Sequence, residues 1–334
     1  MKIAIVKLSA LGDIIHAMVV LQFIKKHHPE TVIDWVVEEG FKGVLEHSTH
    51  ISRIHTVNLR VVKQKKSPFL LFKELRKIRL IGAYDIVIDM QGLLKSALIA
   101  RLIPSETTLG FDNNSLRESL ASLFYNQTFS MDYAQNVIER NIALISHGLQ
   151  ISITQDDIRN KGSFLCSSQQ HSFNELSKTT HNIALIPRAS FQSKCYPVEK
   201  FVQLTTQLDA NFLVVWGNEA EKTVAENIKA SSPNVHVMSK LSLDELISLI
   251  SQVDLVIGSD TGPTHMAWAL NIPSITLFGP TPGYRNTYAT DINRIIESET
   301  IVNPYKVNKN DFSIKNIKLS DIIKMSQDLL RAKP

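Results

Sequence analysis

The sequence predicts an α/β protein built from two doubly wound domains in tandem, and three observations carry that prediction. Short apolar runs alternate with segments of helical periodicity from the first residue onward, the pattern of a parallel sheet covered on both faces. The chain has 334 residues, beyond the roughly 250 to 300 at which a single core stops growing. The alternation fades once, from about Ile151 to Thr180, and then resumes.

Strands of the first half are expected at Ile3 to Val6, Val32 to Val37, Ile54 to Val57 and Asp85 to Ile88. Between the first two, Ile14, Ile15, Met18, Val19 and Leu21 to Phe23 recur at helical spacing. Lys25, Lys26, His27 and His28 then close that helix with the positive charge its dipole favours. This is one right-handed crossover unit. The polar stretch carrying Asp156-Asp157, Ser167 to Gln170 and Lys178 to His181 suits an interdomain connection. Strands of the second half are expected at Ile183 to Ile186, Phe212 to Val215, Val235 to Val237, Leu255 to Ile257 and Ser274 to Leu277. Ligands of such sheets bind beyond the carboxyl ends of strands, so the segments after Val6, Ile186, Val215 and Ile257 are expected to face a cleft.

Composition excludes several classes. Hydrophobic residues make up 44% and charged residues 20%, which is globular, and a net charge of +4 is too mild for a general nucleic-acid binder. Cys166 and Cys195 form neither a CxxC pair nor a metal spacing, as suits a reducing compartment. The run from Met1 to Lys7 is too short for a signal peptide, and no stretch approaches the roughly 20 apolar residues of a membrane span. A cytoplasmic protein, soluble or touching a membrane surface, is the expectation.

The most informative segment runs from Gly258 to His265, where an apolar strand turns through Ser259-Asp260-Thr261-Gly262 into a helix. A helix start exposes unpaired N–H groups and the positive dipole end, a seat for a diphosphate. Thr261 is placed to cap and Pro263 suits the first turn. No Gly-x-Gly-x-x-Gly fingerprint follows any strand, which points away from nicotinamide chemistry. His265, in that first turn, is expected to stay neutral and donate to phosphate, while Asp260 either fixes the loop or accepts from sugar hydroxyls. Lys194, shortly after the first strand of the second half, is either a point charge for phosphate or solvated surface. Glu219 and Glu221 either accept from ribose hydroxyls or serve as acids at a helix start. Asp13, near the start of the first helix, is a general base or a cap. The stretch Arg60 to Lys66 reads as a basic loop before a helix at Pro68. It suits an anionic lipid surface, or else its charges are solvated while Phe72, Leu75 and Ile78 face the core.

Five segments together resemble glycosyltransferase family 9: Ile5 to His16, Asp34 to Phe41, Ile88 to Ala97, Leu120 to Asn126 and Ser259 to His265. The Trp35-Val36-Val37-Glu38-Glu39 and Leu123-Phe124-Tyr125-Asn126 segments are those of its first-heptosyltransferase branch. The resemblance implies a GT-B fold of two Rossmann-like domains facing a cleft. Residues 1–165 would bind acceptor, residues 180–318 would bind the nucleotide sugar, and residues 319–334 would form a helix packing back on the N-terminal domain. It implies an inverting transfer of heptose from ADP-L-glycero-D-manno-heptose to the Kdo of Kdo-lipid A, at the cytoplasmic face of the inner membrane of a Gram-negative bacterium. Asp13 would be the base, and Lys194, the Thr261-Gly262 backbone and His265 would stabilise the departing diphosphate. Ser190, Glu221, Leu241 and Asp260 complete the donor set; Lys7, Arg60, Lys63 and Arg117, with Lys65 and Lys66 beside them, would meet the acceptor. No tightly bound cofactor or metal is implied, and divalent-metal stimulation is left open. The chain departs from the family at Pro187-Arg188-Ala189-Ser190, where a His-Ala-Thr-Thr-like segment is usual and only Ser190 keeps a hydroxyl. The alternatives are a second heptosyltransferase acting on a heptosylated acceptor, or a non-catalytic nucleotide-sugar-binding protein.

Overall fold

The computed structural model describes residues 1–332 and divides into two compact units, the second starting at Leu165. In the first unit, β1 (Lys2–Val6), β2 (Val32–Glu38), β3 (Arg53–Val57), β4 (Tyr84–Asp89), β5 (Ser105–Phe111) and β6 (Gln127–Phe129) form one sheet. All its pairings are parallel, in the order β3-β2-β1-β4-β5-β6. The central strand is apolar throughout its buried length, Ile3 to Val6, as a strand covered on both faces requires. Its register sets Ile5 opposite Trp35 and Ile88. The order reverses at β1, so a ligand crevice of this sheet belongs at the carboxyl ends of β1 and β4.

The helices of this unit are α1 (Leu11–Met18), α2 (Val20–His27), α3 (Leu59–Lys65), α4 (Pro68–Arg79), α5 (Leu94–Leu102), α6 (Val137–Leu149) and α7 (Gln155–Arg159). The single helix expected after β1 is therefore a pair, α1 and α2, joined at Val19. The basic stretch expected as a loop is mostly helix α3, ended by Lys66 in the left-handed region at φ 45°. Of the three residues expected to line the core from α4, Ile78 is buried, Leu75 is half-buried and Phe72 stands in solvent.

The second unit repeats the plan. Strands β7 (Asn182–Ile186), β8 (Asn211–Val214), β9 (Val235–Val237), β10 (Leu255–Ser259), β11 (Ser274–Phe278) and β12 (Asn293–Glu297) pair in parallel, in the order β12-β11-β10-β7-β8-β9. Around them lie α8 (Val198–Gln207), α9 (Glu219–Lys229), α10 (Leu243–Ile250), α11 (Gly262–Leu270), α12 (Gly283–Asn286) and α13 (Leu319–Arg331). Here β7 and β10 take the central place, so their carboxyl ends define the crevice. Ile322, Leu329 and Leu330 of α13 join the core cluster of this unit. The helix expected to return to the N-terminal domain thus commits its apolar face to the second unit; residues 333 and 334 of that expectation lie outside the described residues. The polar connection is anchored too, because Asp244 of α10 accepts from Ser168 N–H at 2.7 Å, and His171 N–H donates to Ser248 Oγ at 2.8 Å.

Candidate active site

In the first unit, β1 runs through the turn Lys7–Ala10 into α1, and Asp13 falls in the first turn of that helix. Ala10 at the N-cap has no side-chain oxygen, so the helix start is closed from the other side: Asp13 Oδ2 accepts from Ala10 N–H at 3.1 Å. The residue is half-buried. One oxygen holds the turn, and a carboxylate has further lone pairs with which to accept an acceptor hydroxyl proton. Capping and base chemistry are compatible in this side chain.

The turn that carries Asp13 is fixed by its neighbours. Gln91 Oε1 accepts from Leu8 N–H and from Ser9 N–H, both at 3.0 Å, and Trp35 Nε1 donates to Lys7 O at 3.2 Å. The Lys7 side chain is buried and donates to Met90 O at 2.8 Å, which makes it part of the scaffold under the turn. Gln91 depends in turn on Asp89, fully buried at the end of β4. Asp89 accepts from Gln91 N–H at 2.8 Å, Gly92 N–H at 3.2 Å, Ser96 Oγ at 2.8 Å and Tyr125 OH at 2.8 Å. Burial pushes the Asp89 carboxyl upward, and these four donors pull against it. Gly92 sits at φ +68°, where a side chain is disfavoured. Sequence reasoning assigned no role to Asp89, Gln91 or Tyr125, although all three lie in segments that carry the resemblance to glycosyltransferase family 9.

Arg60 and Lys63 are exposed on α3, and Arg117 is exposed between β5 and the 3-10 turn Ser119–Phe124. Arg60 N–H donates to Glu38 Oε1 at 2.8 Å, tying the start of α3 to the end of β2.

In the second unit, Lys194 follows β7 and Asp260 follows β10, and because these strands are neighbours the two side chains meet at 2.5 Å. Asp260 is a buried hub. Its Oδ1 accepts from His265 Nε2 at 2.9 Å, and its Oδ2 from Thr281 Oγ1 at 2.8 Å. Burial opposes its ionisation, but the Lys194 ammonium and the His265 contact outweigh that and hold the carboxyl far below the usual range. Asp260 thereby fixes the loop and aims both Lys194 and His265. His265 Nε2 faces Asp260, and because a carboxylate only accepts, the proton between them belongs to the ring.

Helix α11 starts at Gly262 with Pro263 in its first turn, and Thr261 occupies the N-cap. The Thr261 hydroxyl makes no cap bond; Thr264 Oγ1 donates to Ser259 O at 2.9 Å and closes the turn instead. Lys194 keeps further ammonium protons beyond the one given to Asp260, so it can hold an anion at this helix start while remaining paired. Glu221 lies in the first turn of α9, where Oε2 accepts from Gly217 N–H at 2.8 Å and Oε1 from Asn218 Nδ2 at 2.8 Å. The helix-start reading of this acid is the one seen. Glu219 also lies in that first turn. Leu241 is half-buried ahead of α10, and Ser190 is exposed after β7. Among the described residues, no group of three or more His, Cys, Asp or Glu is placed to hold a metal ion.

The family model described as glycosyltransferase family 9 (heptosyltransferase) matches residues 71–314, a stretch that includes Lys194, Asp260 and the start of α11. The chain belongs to glycosyltransferase family 9. This family member is 40% identical to lipopolysaccharide heptosyltransferase 1 of Campylobacter coli, across 98% of this chain and 99% of that protein. It is 30% identical to the enzyme of the same name from Escherichia coli K12, across 86% and 91%. Its fold matches the E. coli heptosyltransferase WaaC solved with ADP, at TM-score 0.81 and 25% identity over 98% of this chain and 100% of that one. The same enzyme solved with ADP-2-deoxy-2-fluoro heptose matches at TM-score 0.79 and 25% identity, over 98% and 99%. This glycosyltransferase has the two-sheet GT-B architecture, and no described helix is long and apolar enough to cross a membrane.

Proposed function

We propose that this glycosyltransferase moves heptose from ADP-L-glycero-D-manno-heptose to the Kdo of Kdo-lipid A, in assembly of the lipopolysaccharide inner core at the cytoplasmic face of the inner membrane. The observation that carries the reading is the Lys194–Asp260–His265 cluster at the start of α11, a charged and preorganised seat for a diphosphate leaving group. The acceptor hydroxyl oxygen attacks the anomeric carbon, the bond from that carbon to the ADP oxygen breaks, and configuration inverts. Asp13 takes the hydroxyl proton, a role in which position matters more than an altered pKa. Lys194 and the N-terminus of α11 stabilise the charge that gathers on ADP. Arg60, Lys63 and Arg117 meet the carboxylates and phosphates of the acceptor.

The test is ADP release by the purified protein from ADP-heptose, with Kdo-lipid A and separately with its heptosylated product as acceptor. Release with the first acceptor alone is expected; release only with the second would move the enzyme one step later. Asp13→Ala is expected to bind ADP as before and to lose about 10²–10⁴-fold in turnover, whereas full turnover would leave Asp13 a cap alone.

A further inference from the structure

Three neighbouring elements of the first unit each turn an apolar face to solvent. On α4, Phe69 is 74% and Phe72 64% exposed, at helical spacing i and i+3. On α5, Leu94 and Leu98 are exposed while Ser96, Ala97, Ile99 and Ala100 are buried, so the outward stripe is apolar as well as the inward one. In the 3-10 turn, Leu120 is 61% and Leu123 78% exposed around the buried Ala121. Helix α4 packs against α5, α5 packs against the 3-10 turn, and Glu118 Oε2 accepts from Leu94 N–H at 2.8 Å. The six side chains therefore share one side of the unit. Large exposed apolar groups gathered this way mark an interaction surface rather than ordinary scatter.

Charge indicates what covers it. Residues 59–79 hold eight Lys or Arg and one acid, Glu74, a net of +7 in a chain whose total is +4, so the remaining residues are net negative. That one acid is tied down, accepting from Asn58 N–H at 3.1 Å. Cations flanking apolar side chains match an anionic lipid surface: phenylalanine and leucine enter the acyl boundary while lysine and arginine stay at the headgroups. The ledge also lies toward the reacting rim. Phe69 is in the first turn of α4, Leu94 opens α5 directly after the Asp89–Gly92 turn, and Lys95 Nζ donates to Ser9 Oγ at 3.4 Å, in the turn that carries Asp13.

We infer that α4, α5 and the Ser119–Phe124 turn form a bilayer-docking ledge, inserting Phe69, Phe72, Leu94, Leu98, Leu120 and Leu123 into an anionic membrane so that a lipid-borne acceptor reaches the Asp13 rim from the membrane plane. The inference rests on the lipid-linked acceptor proposed above. Its test is flotation of the full chain with phosphatidylcholine vesicles, with and without phosphatidylglycerol, comparing wild type with Phe69→Ser/Phe72→Ser/Leu123→Ser. Wild type is expected to bind the anionic vesicles, less so as salt rises, and the triple variant to bind them about tenfold or more weakly. The variant is expected to retain wild-type turnover on an acceptor stripped of its acyl chains and to lose it on acceptor embedded in vesicles. Equal vesicle binding by variant and wild type would overturn the ledge, as would no binding by wild type. So would a wild-type dimer in sedimentation velocity that the variant dissolves, since the covering surface would then be a second copy. Vesicle binding needs no turnover, and turnover on the stripped acceptor needs no membrane, so failure of the ledge and failure of the heptosyl-transfer reading are separable.

Discussion

Asp260 is a buried carboxylate whose charge is tolerated only because Lys194 and His265 stand against it, and that dependence separates its structural from its chemical consequences. Its folded pKa lies below the ordinary value near 3.9, so the ion pair stabilises fully above that pH and the stabilisation disappears as pH falls below it. The stability gap between wild type and Asp260→Asn is therefore expected to be widest above about pH 4 and to close in acid, read by denaturant unfolding at pH 7 and pH 3. Lys194→Met leaves a buried charge unpaired and is expected to destabilise by about 3–5 kcal/mol and to abolish turnover. In Lys194→Met/Asp260→Asn the unpaired charge is gone. That double variant is expected to regain most of the stability and none of the activity; recovered turnover would show that Lys194 serves only to neutralise Asp260.

At the scale of elements, what matters is how closely strands, turns and helices approach each other. A Cβ on Gly110 of β5 would stand 2.3–2.5 Å from the Tyr125 ring, the ring whose hydroxyl donates to Asp89. Gly110→Ala is expected to expel that ring, cost about 1–3 kcal/mol, and lower turnover by loosening the Gln91 support under the Asp13 turn. Tyr125→Phe removes the hydrogen bond without the clash, so a smaller loss of stability with a similar loss of turnover would trace the effect to Asp89. None of this was legible in the sequence, because Gln91 accepts from amides 82 and 83 residues away and nothing local announces such a partner. Strands β1 to β4 and β7 to β11 were legible, most as apolar runs buried in a parallel sheet, and β3 and β9 as short β-branched alternations that are only partly buried. Strand β5, reading Ser-Glu-Thr-Thr-Leu-Gly-Phe, carries its apolar residues only at its end, and the edge strands β6 and β12 are short or mixed, so they gave no such run. The strand-to-helix turn at the start of α11 was legible from the Asp-Thr-Gly-Pro run. The Lys194–Asp260 pair was not, since it arises from the adjacency of β7 and β10, which lie far apart in the chain.

At the scale of the molecule, each unit owns a complete six-stranded sheet, and α13 contributes Ile322, Leu329 and Leu330 to the core of the second unit. Each is also of ordinary domain size. Residues 1–164 and 165–334, produced separately, are therefore expected to fold, each with a single cooperative unfolding transition. The residues proposed for chemistry are divided between them: Asp13 with its Gln91–Asp89 support belongs to the first, and Lys194, Asp260 and the start of α11 to the second. The second piece alone is expected to bind ADP with an affinity near that of the whole chain, measured by calorimetry, while the first binds none and neither releases ADP from ADP-heptose. Binding is expected because the proposed diphosphate seat draws its residues from the ends of β7 and β10 and the start of α11; turnover is expected to fail because the proposed base and acceptor residues are missing. Loss of ADP binding by a folded second piece would show that the donor seat takes an essential part from residues 1–164.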